Sequence, residues 1–296
     1  MLTRPITRPL TQPLTRAISA AMQSTWNPRN LFAANDTGLF YDLNDLSTLF
    51  QDSDGTTPVT AAGQPVGLVL DKSKGGVPGP QLLSNGDFSA GSAGWTLDAS
   101  WSIANGRAES AATGGNYLTC TAVTVKANTW YVIEYDFAIT SGATQATIGG
   151  TLMTATSAGM SGRFKRYVLT TATTSFRIYA NNAVAWFDNI SVRELPGAHA
   201  FQATAASRPI LRDAPRRIDY DAVDDVLNVT FPVALGSACT VARSIPGVGA
   251  QILTGQTIGT SFTDNVDNCG LIIVNRALTA AETAGLTRYL NQRAGV

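Results

Sequence analysis

The stretch WYVIEYDFAI, residues 130–139, decides the fold class because its apolar side chains recur at every second position. Successive side chains of a strand point to opposite sides, so residues of one parity share a face. The face expected to point into a core carries Tyr131, Ile133, Tyr135, Phe137 and Ile139. The stretch SFRIYA, residues 175–180, repeats the pattern with Phe176, Ile178 and Ala180. The alternation predicts half-buried strands, and therefore a mainly β protein.

The opposite faces of these strands carry the residues that fit sugar binding. An aromatic ring can stack on the apolar C–H face of a pyranose, while charged and polar groups bond its hydroxyls. The candidate glycan-binding residues are Trp130, Glu134, Asp136, Arg177 and Tyr179. The alternative is that they are ordinary solvent-facing residues of a β-sandwich.

Glu134 and Asp136 are also a pair of carboxyl residues of the kind that serve as acid and base in glycosidases. Both lie on one face of a single strand, about 7 Å apart at the backbone. No second strand is apparent that would grip a substrate, so solvated carboxylates are the preferred interpretation. His199 is the only histidine, and no nucleophile motif accompanies it. The sequence therefore favours a protein that is not an enzyme.

The composition excludes several classes of function. Of the 296 residues, 44% are hydrophobic and only 14% are charged, against the roughly 25% usual for soluble domains. Lys+Arg and Asp+Glu both number 21, so no basic surface for nucleic acid is expected. The three cysteines suggest buried thiols rather than a disulfide framework. No stretch resembles a membrane span or a secretory signal, and we expect a protein made in the cytoplasm.

The first 30 residues predict an extended arm. The stretch LTRPITRPLTQPLTRAIS, residues 2–19, has a proline at every fourth position up to Pro13, which excludes a helix. We expect the arm to dock on a partner subunit, because its regularly spaced apolar anchors would otherwise be wasted in water. The expected docking residues are Leu2, Arg4, Ile6, Arg8, Leu10, Leu14 and Ile18. The alternative is a disordered tail.

Two later segments resemble tail-fibre-like structural proteins of tailed bacteriophages. They are residues 39–72, with LFYD, DLSTLFQD and VGLVLDK, and the stretch HAFQATAASRPILR, residues 199–212. The resemblance implies a virion structural protein whose partners are other virion proteins and copies of itself, with a trimer favoured. It also implies a β-rich body formed by residues 31–80 and 196–296.

The segment between these two parts, residues 81–195, is interpreted as an inserted domain. It begins with LLSNGDFSAGSAGWTL (82–97) and ends with AWFDNISVREL (185–195), and it holds four of the five tryptophans. Both ends resemble those of a jelly-roll carbohydrate-binding module. Because the first and last strands of such a module lie close together, it can interrupt a host domain without splitting it. The resemblance implies binding to bacterial surface polysaccharide.

Asp188 is expected to point toward the core, on a face shared with Trp186, Ile190 and Val192. An inward carboxylate needs hydrogen bonds or a cation. Since related modules carry a structural Ca²⁺ near their first and last strands, Asp87 and Asp188 are candidate calcium ligands. Hydrogen bonds within turns, without a metal, are the alternative. No other cofactor is expected.

The C-terminal residues predict a strand and a helix. Residues 270–274 are apolar, Thr279 and Glu282 have the spacing of a capping box, and Gly295 is placed to end the helix. This end resembles the last strand and helix of laminin-G-like domains. Residues 233–268 are too few and too rich in glycine for a complete laminin-G sandwich.

Together these observations predict a bacteriophage virion structural protein of the fibre or spike type. An N-terminal arm would attach it to the particle, and an inserted jelly roll would bind host glycans. Two alternatives remain: a purely structural head or tail decoration protein, and a capsule-degrading glycosidase.

Overall fold

A computed structural model of the chain describes residues 26–33, 36–111 and 114–296. These residues form antiparallel strands, a C-terminal α-helix and a few 3-10 turns, so the predicted mainly β fold class is confirmed. The strands are β1 (Gly38–Phe40), β2 (Leu49–Phe50), β3 (Leu68–Val69), β4 (Trp95–Leu97), β5 (Trp101–Ala104), β6 (Arg107–Ala111), β7 (Gly115–Cys120), β8 (Trp130–Ile148), β9 (Thr151–Leu152), β10 (Thr156–Ser157), β11 (Ser161–Leu169), β12 (Arg177–Glu194), β13 (Ala200–Phe201), β14 (Ile210–Arg212), β15 (Arg217–Asp219), β16 (Leu227–Thr230), β17 (Gly236–Ile245), β18 (Gly249–Ile258), β19 (Ser261–Asp264) and β20 (Leu271–Val274). The helix, α1, spans Ala280–Ala294.

Strands β4 to β12 form a nine-stranded sheet that folds over into a sandwich. Its two long strands, β8 and β12, are paired along most of their length and pass through both layers. In the β11 layer, residues 130–141 of β8 and 184–194 of β12 are flanked by β11, β6 and β5. In the β7 layer, residues 143–148 and 177–181 are flanked by β7, β4, β9 and β10. We call this unit the β4–β12 sandwich.

The core of the β4–β12 sandwich comes from its own strands and the loops beside them. The side chains predicted to face inward from β8 are all buried, as are Phe176, Ile178 and Ala180. Tyr135 stacks on Phe164 with ring centroids 4.4 Å apart. The alternation seen in the sequence therefore identifies the inner face of both strands correctly over these stretches.

The remaining strands form what we call the body, whose two main sheets enclose a second core. One sheet has the order β1-β20-β17-β18 and the other β19-β16-β13-β3-β2, while β14 and β15 form a separate hairpin. Residues 233–268, judged too short for a full sandwich, supply β17, β18 and β19. The three cysteines are buried and free.

Helix α1 covers the outer side of the four-stranded sheet, where Leu286 and Leu290 pack beside Ala242 and Ile272. Its predicted ends are confirmed. Thr279 and Glu282 form the capping box, and Gly295 ends the helix in the left-handed conformation with φ 82°. Both caps satisfy backbone groups that the helix itself leaves unpaired.

The chain leaves the body and returns to it at neighbouring strands. Ala200 of β13 pairs with Val69 of β3 in one sheet, and the β4–β12 sandwich lies between them in sequence. Farther out, the Gly79 N–H donates to the Glu194 carbonyl at 2.8 Å. Neighbouring ends are what an inserted domain requires. The boundaries 1–30, 31–80, 81–195 and 196–296 themselves stay a prediction.

The β4–β12 sandwich packs against the body through an apolar seam. Leu68 and Leu70 of the body are buried together with Trp130, Val132 and Leu195. Phe50, Tyr167, Leu169 and Phe201 border this cluster. The seam lies on the outer side of the β11 layer, so that part of the layer is covered by the body.

Candidate functional site

The sequence-predicted glycan residues lie in three separate places. Trp130 is in the seam. Glu134 and Asp136 lie on the uncovered outer side of the β11 layer. Arg177 and Tyr179 lie on the outer side of the β7 layer. One composite site built from all five residues is therefore not formed.

The expectation that Trp130 faces solvent is wrong. Its side chain is 2% exposed, and its ring meets those of His199 and Phe201 edge-on at centroid distances of 5.4 and 5.7 Å. Alternation correctly places Trp130 and Tyr131 on opposite faces of the strand, but it carries no information about what covers each face. Here the body covers the face that carries Trp130. Burial lowers the pKa of His199 to about 3, so this histidine is neutral and serves packing.

Glu134 and Asp136 belong to a salt-bridged cluster with the neighbouring strand β11. Arg163 reaches both, with Nη2 3.4 Å from Glu134 Oε2 and Nη1 3.2 Å from Asp136 Oδ1. Lys165 Nζ lies 3.6 Å from Glu134 Oε1. Asn189 Nδ2 donates to Asp136 Oδ2 at 2.9 Å. The two carboxylates thus already have cationic and amide partners.

The expectation that Asp188 points toward the core is also wrong. Phe187 is fully buried, whereas Trp186 and Asp188 are half-exposed on the outer side. The register of β12 shifts between Asp188 and Ser191, and Asn189 has a left-handed φ of 51°. Simple alternation places Asp188, Ile190 and Val192 on the same face. The bulge changes the parity after Asp188, so Ile190 and Val192 lie on the inner face whereas Asp188 lies on the outer face.

The proposed calcium ligands are held by local hydrogen bonds. Asp188 Oδ1 accepts from the Asn189 N–H at 2.7 Å, and Asp87 Oδ1 accepts from the N–H and Oγ of Ser89 at 3.3 and 3.0 Å. These Ser89 hydrogen bonds lower the pKa of Asp87. Among the described residues, the carboxylates grouped closely enough for a metal are instead those of Asp221, Asp224 and Asp225. The calcium site stays a prediction.

The outer side of the β7 layer carries a small aromatic platform, which we define as Tyr117, Arg177 and Tyr179. Tyr117 and Tyr179 face each other in register, with ring centroids 5.0 Å apart. The Arg177 guanidinium lies 4.7 Å from the Tyr117 ring centroid, and its Nε donates to Thr147 Oγ1 at 3.1 Å. These contacts fix the orientation of the three side chains.

The surroundings of this platform leave its rings accessible. Tyr117 and Tyr179 are half-buried and Arg177 is exposed. A Cβ on Gly115 would collide with the Tyr179 hydroxyl, so the tyrosine lies over bare backbone. Gln145 is the partner of Tyr179 on the other flanking strand. The platform therefore presents two rings with a cation and an amide beside them.

Tyr117 was missed by the sequence analysis, although a signal for it exists. Strand β7 reads GNYLTC, in which Leu118 and Cys120 are buried and Tyr117 and Thr119 face out. The same alternation rule used for β8 would have placed Tyr117 on the outer face. Its position opposite Tyr179 depends on strand pairing, which the sequence does not reveal.

Trp186 is a second outward aromatic residue that the sequence analysis assigned to the inner face. The Arg107 guanidinium lies 4.8 Å from its ring centroid, and Arg107 Nε pairs with Glu109 Oε1 at 2.8 Å. One face of the indole is therefore occupied by an arginine that is itself salt-bridged. Trp186 is on the opposite side of the sandwich from the aromatic platform.

The docking residues predicted in the arm, from Leu2 to Ile18, lie outside the described residues. Within the described part of the chain, none of the helices is long and apolar enough to cross a membrane.

Comparison with known proteins gives only weak likenesses. No family model matches the chain, and no curated protein matches it. A mutant of the family 29 carbohydrate-binding module CBM29-2 is similar over 35% of this chain and 78% of its own, with 12% identity and a TM-score of 0.27. The CBM22 tandem domain from Paenibacillus barcinonensis Xyn10C covers 75% of this chain and 96% of its own, with 11% identity and a TM-score of 0.31. Likenesses this weak establish neither a family nor a function for the chain.

Proposed function

We propose that this protein is a non-catalytic glycan-binding protein, and that the aromatic platform of Tyr117, Arg177 and Tyr179 holds the sugar. The observation that carries the proposal is the pair of accessible tyrosine rings, 5.0 Å apart, on the outer face of the β7 layer. The C–H face of a pyranose stacks on such a ring. Its hydroxyls accept from Arg177 and exchange hydrogen bonds with Gln145.

This platform suits binding better than the other two locations of predicted residues. Trp130 is covered by the body, and Arg163 already bridges Glu134 and Asp136. A sugar there would have to displace existing ion pairs, whereas the tyrosine rings offer open apolar surface. Rigid tyrosines also lose little conformational entropy on binding.

At a finer level, we propose that the protein is a fibre- or spike-type structural protein of a tailed-phage virion. The support is the resemblance of residues 39–72 and 199–212 to phage structural proteins, together with the proline-punctuated arm. The arm would attach the protein to other virion proteins or to copies of itself, with a trimer favoured. Host surface polysaccharide would then be the ligand of the platform.

A glycan array of bacterial surface polysaccharides, probed with the full-length protein, tests the binding function. Tyr179→Ala should weaken binding about fivefold, since one stacking contact is worth roughly 1 kcal/mol. Trp186→Ala is the matched control, because it removes an outward aromatic residue from the other layer. Binding that persists in Tyr179→Ala and falls in Trp186→Ala would move the site to the β11 layer.

The same array separates the alternatives. Release of shortened glycans would support the capsule-degrading glycosidase, and failure to bind any glycan would support the decoration protein.

For the virion role, deletion of residues 1–19 should leave the protein folded but absent from particles. Normal copy number of the truncated protein in particles would contradict the proposed docking by the arm.

A further inference from the structure

A cavity separate from the aromatic platform lies beside the seam, where the body meets the edge of the β4–β12 sandwich. It is a cavity of about 270 Å³. Its walls come from β8, β9, β11 and the loop after β11, together with a body loop and the end of β13. The lining residues used below are Asp54, Leu152, Arg166, Tyr167 and Phe201.

The body loop docks directly on the edge strand β11 to form this cavity. The Tyr167 N–H donates to the Asp54 carbonyl at 3.0 Å, and Thr154 Oγ1 donates to Asp54 Oδ2 at 3.1 Å. A Cβ on Gly55 would collide with the Tyr167 ring, so the loop approaches the ring as closely as a glycine allows. The cavity is therefore a fixed feature of the docked arrangement.

The walls combine apolar rings with one loose ion pair, formed by Arg166 and Asp54. Tyr167 and Phe201 are half-buried, and Leu152 is exposed at the rim. Arg166 Nε and Asp54 Oδ2 are 3.9 Å apart, too far for a hydrogen bond. The Arg166 and Asp54 side chains are 21% and 45% exposed. Arg166 Nε is buried without a hydrogen-bond partner among the described residues, and Nη1 donates to the Lys165 carbonyl at 2.7 Å, which leaves Nη2 as the donor for a small polar molecule.

We propose that this cavity binds a single neutral hexopyranose unit, as a second saccharide site distinct from the aromatic platform. A hydroxyl oxygen can accept from the Arg166 guanidinium while its hydrogen is donated to Asp54, and the C–H face of the ring packs on Tyr167 and Phe201. The carboxylate of Asp54 disfavours an acidic sugar. Pockets for drug-sized ligands begin at about 300 Å³, so this cavity takes one ring rather than a chain.

The inference rests on the proposed glycan-binding function and extends it, because the site belongs jointly to the sandwich and the body. A glycan held on the aromatic platform engages only the sandwich. A sugar in the cavity contacts both units and stabilises their docking by the free energy of binding.

The test uses the full-length protein with the methyl glycosides of D-glucose, D-galactose and D-mannose as probes. Binding is followed by saturation-transfer NMR and calorimetry. Arg166→Met keeps the apolar stem and removes the donors, and Asp54→Asn keeps the loop shape and removes the charge. Each should weaken binding of the preferred monosaccharide at least tenfold. Lys126→Met, at an exposed cation that pairs with Glu194 outside the cavity, and Tyr179→Ala should leave it unchanged.

Two results would overturn the inference while leaving the proposed function open to its own test. One is that the unmodified protein binds none of the three monosaccharides. The other is that Tyr179→Ala abolishes their binding while Arg166→Met and Asp54→Asn, with unchanged melting temperatures, retain it. Loss in both cavity variants with retention in Tyr179→Ala would support two independent sites.

Discussion

Asp71 joins the two connections between the body and the β4–β12 sandwich. Its Oδ1 accepts from the N–H groups of Phe40 and Ser73, and its Oδ2 accepts from the Ala198 N–H, all at 2.7–2.8 Å. It follows β3 in sequence, while Ala198 precedes β13. A Cβ on Gly197 would come within 2.6 Å of Asp71 Oδ2, so only glycine permits this approach without a shift. One carboxylate thus fixes both crossing points.

The free energy of unfolding should therefore depend on the protonation of Asp71. Burial raises its pKa from 3.8 to about 6, although four donors act in the opposite direction. A carboxyl whose pKa is raised on folding stabilises the folded state fully at pH values below its pKa in the unfolded chain. This contribution disappears as the pH rises through its pKa in the folded state. Relative to Asp71→Asn, the unmodified protein should lose about 2–3 kcal/mol between pH 4 and pH 7.

Urea denaturation at several pH values measures this difference in the free energy of unfolding. The neighbouring His199 titrates in both proteins, so its effect cancels in the comparison. Glu282→Gln is the control, because the side-chain hydrogen bond from Arg276 lowers the pKa of Glu282 to about 2. The contribution of Glu282 to stability disappears only as the pH falls below the pKa that Glu282 has in the unfolded chain. The difference in free energy of unfolding between the unmodified protein and Glu282→Gln should therefore be constant from pH 5 to pH 7. A constant difference for Asp71→Asn over the same range would contradict the raised pKa.

At the scale of elements, the β4–β12 sandwich depends on the corner where β8 and β12 pass from one layer to the other. Gly142 of β8 has a left-handed φ of 74°, and a Cβ there would collide with the Asn182 carbonyl group. On β12, Asn182 also has a positive φ, of 46°. Both strands therefore turn at the same level, and the close backbone approach requires glycine.

Gly142→Ala should lower the free energy of unfolding by about 1–3 kcal/mol more than Gly159→Ala, because overpacking adds to backbone strain. Gly159 is the matched control: its φ is 83°, but a Cβ there meets nothing within 4 Å. Chemical denaturation of both variants gives the comparison. Equal losses would mean that the corner relaxes without cost and that the close approach does not matter.

These elements also show how far the sequence predicts the structure. The inner face of β8 follows from alternation alone, since a strand covered on one side has a period of two. The same rule failed on β12 because the bulge after Asp188 inserts one extra residue and so reverses the alternation. It found Arg177 and Tyr179 but could not bring Tyr117 beside Tyr179, because pairing between distant strands is a property of the fold. The prediction for Trp130 failed for a further reason, namely that the body covers the outer side of the sheet at this position.

At the scale of the whole molecule, the body and the β4–β12 sandwich have separate cores and one shared seam. We propose that residues 81–195 are an inserted domain. The sandwich core uses none of the body's residues, so a fragment of residues 80–196 should fold and melt cooperatively. The fragment would also expose Trp130 and Val132, which are 2% and 4% exposed in the full chain. We therefore expect it to self-associate through this apolar face.

Val132→Lys should have opposite effects in the fragment and in the full chain. In the fragment the lysine lies on an open sheet face, so it should reduce self-association and leave the melting temperature nearly unchanged. In the full chain the same lysine would be buried in the seam without a partner, which costs several kcal/mol. Analytical ultracentrifugation and thermal melts of the four proteins measure both effects. A fragment that is unfolded, or that Val132→Lys destabilises as much as the full chain, would show that the sandwich needs the body and is no independent insert.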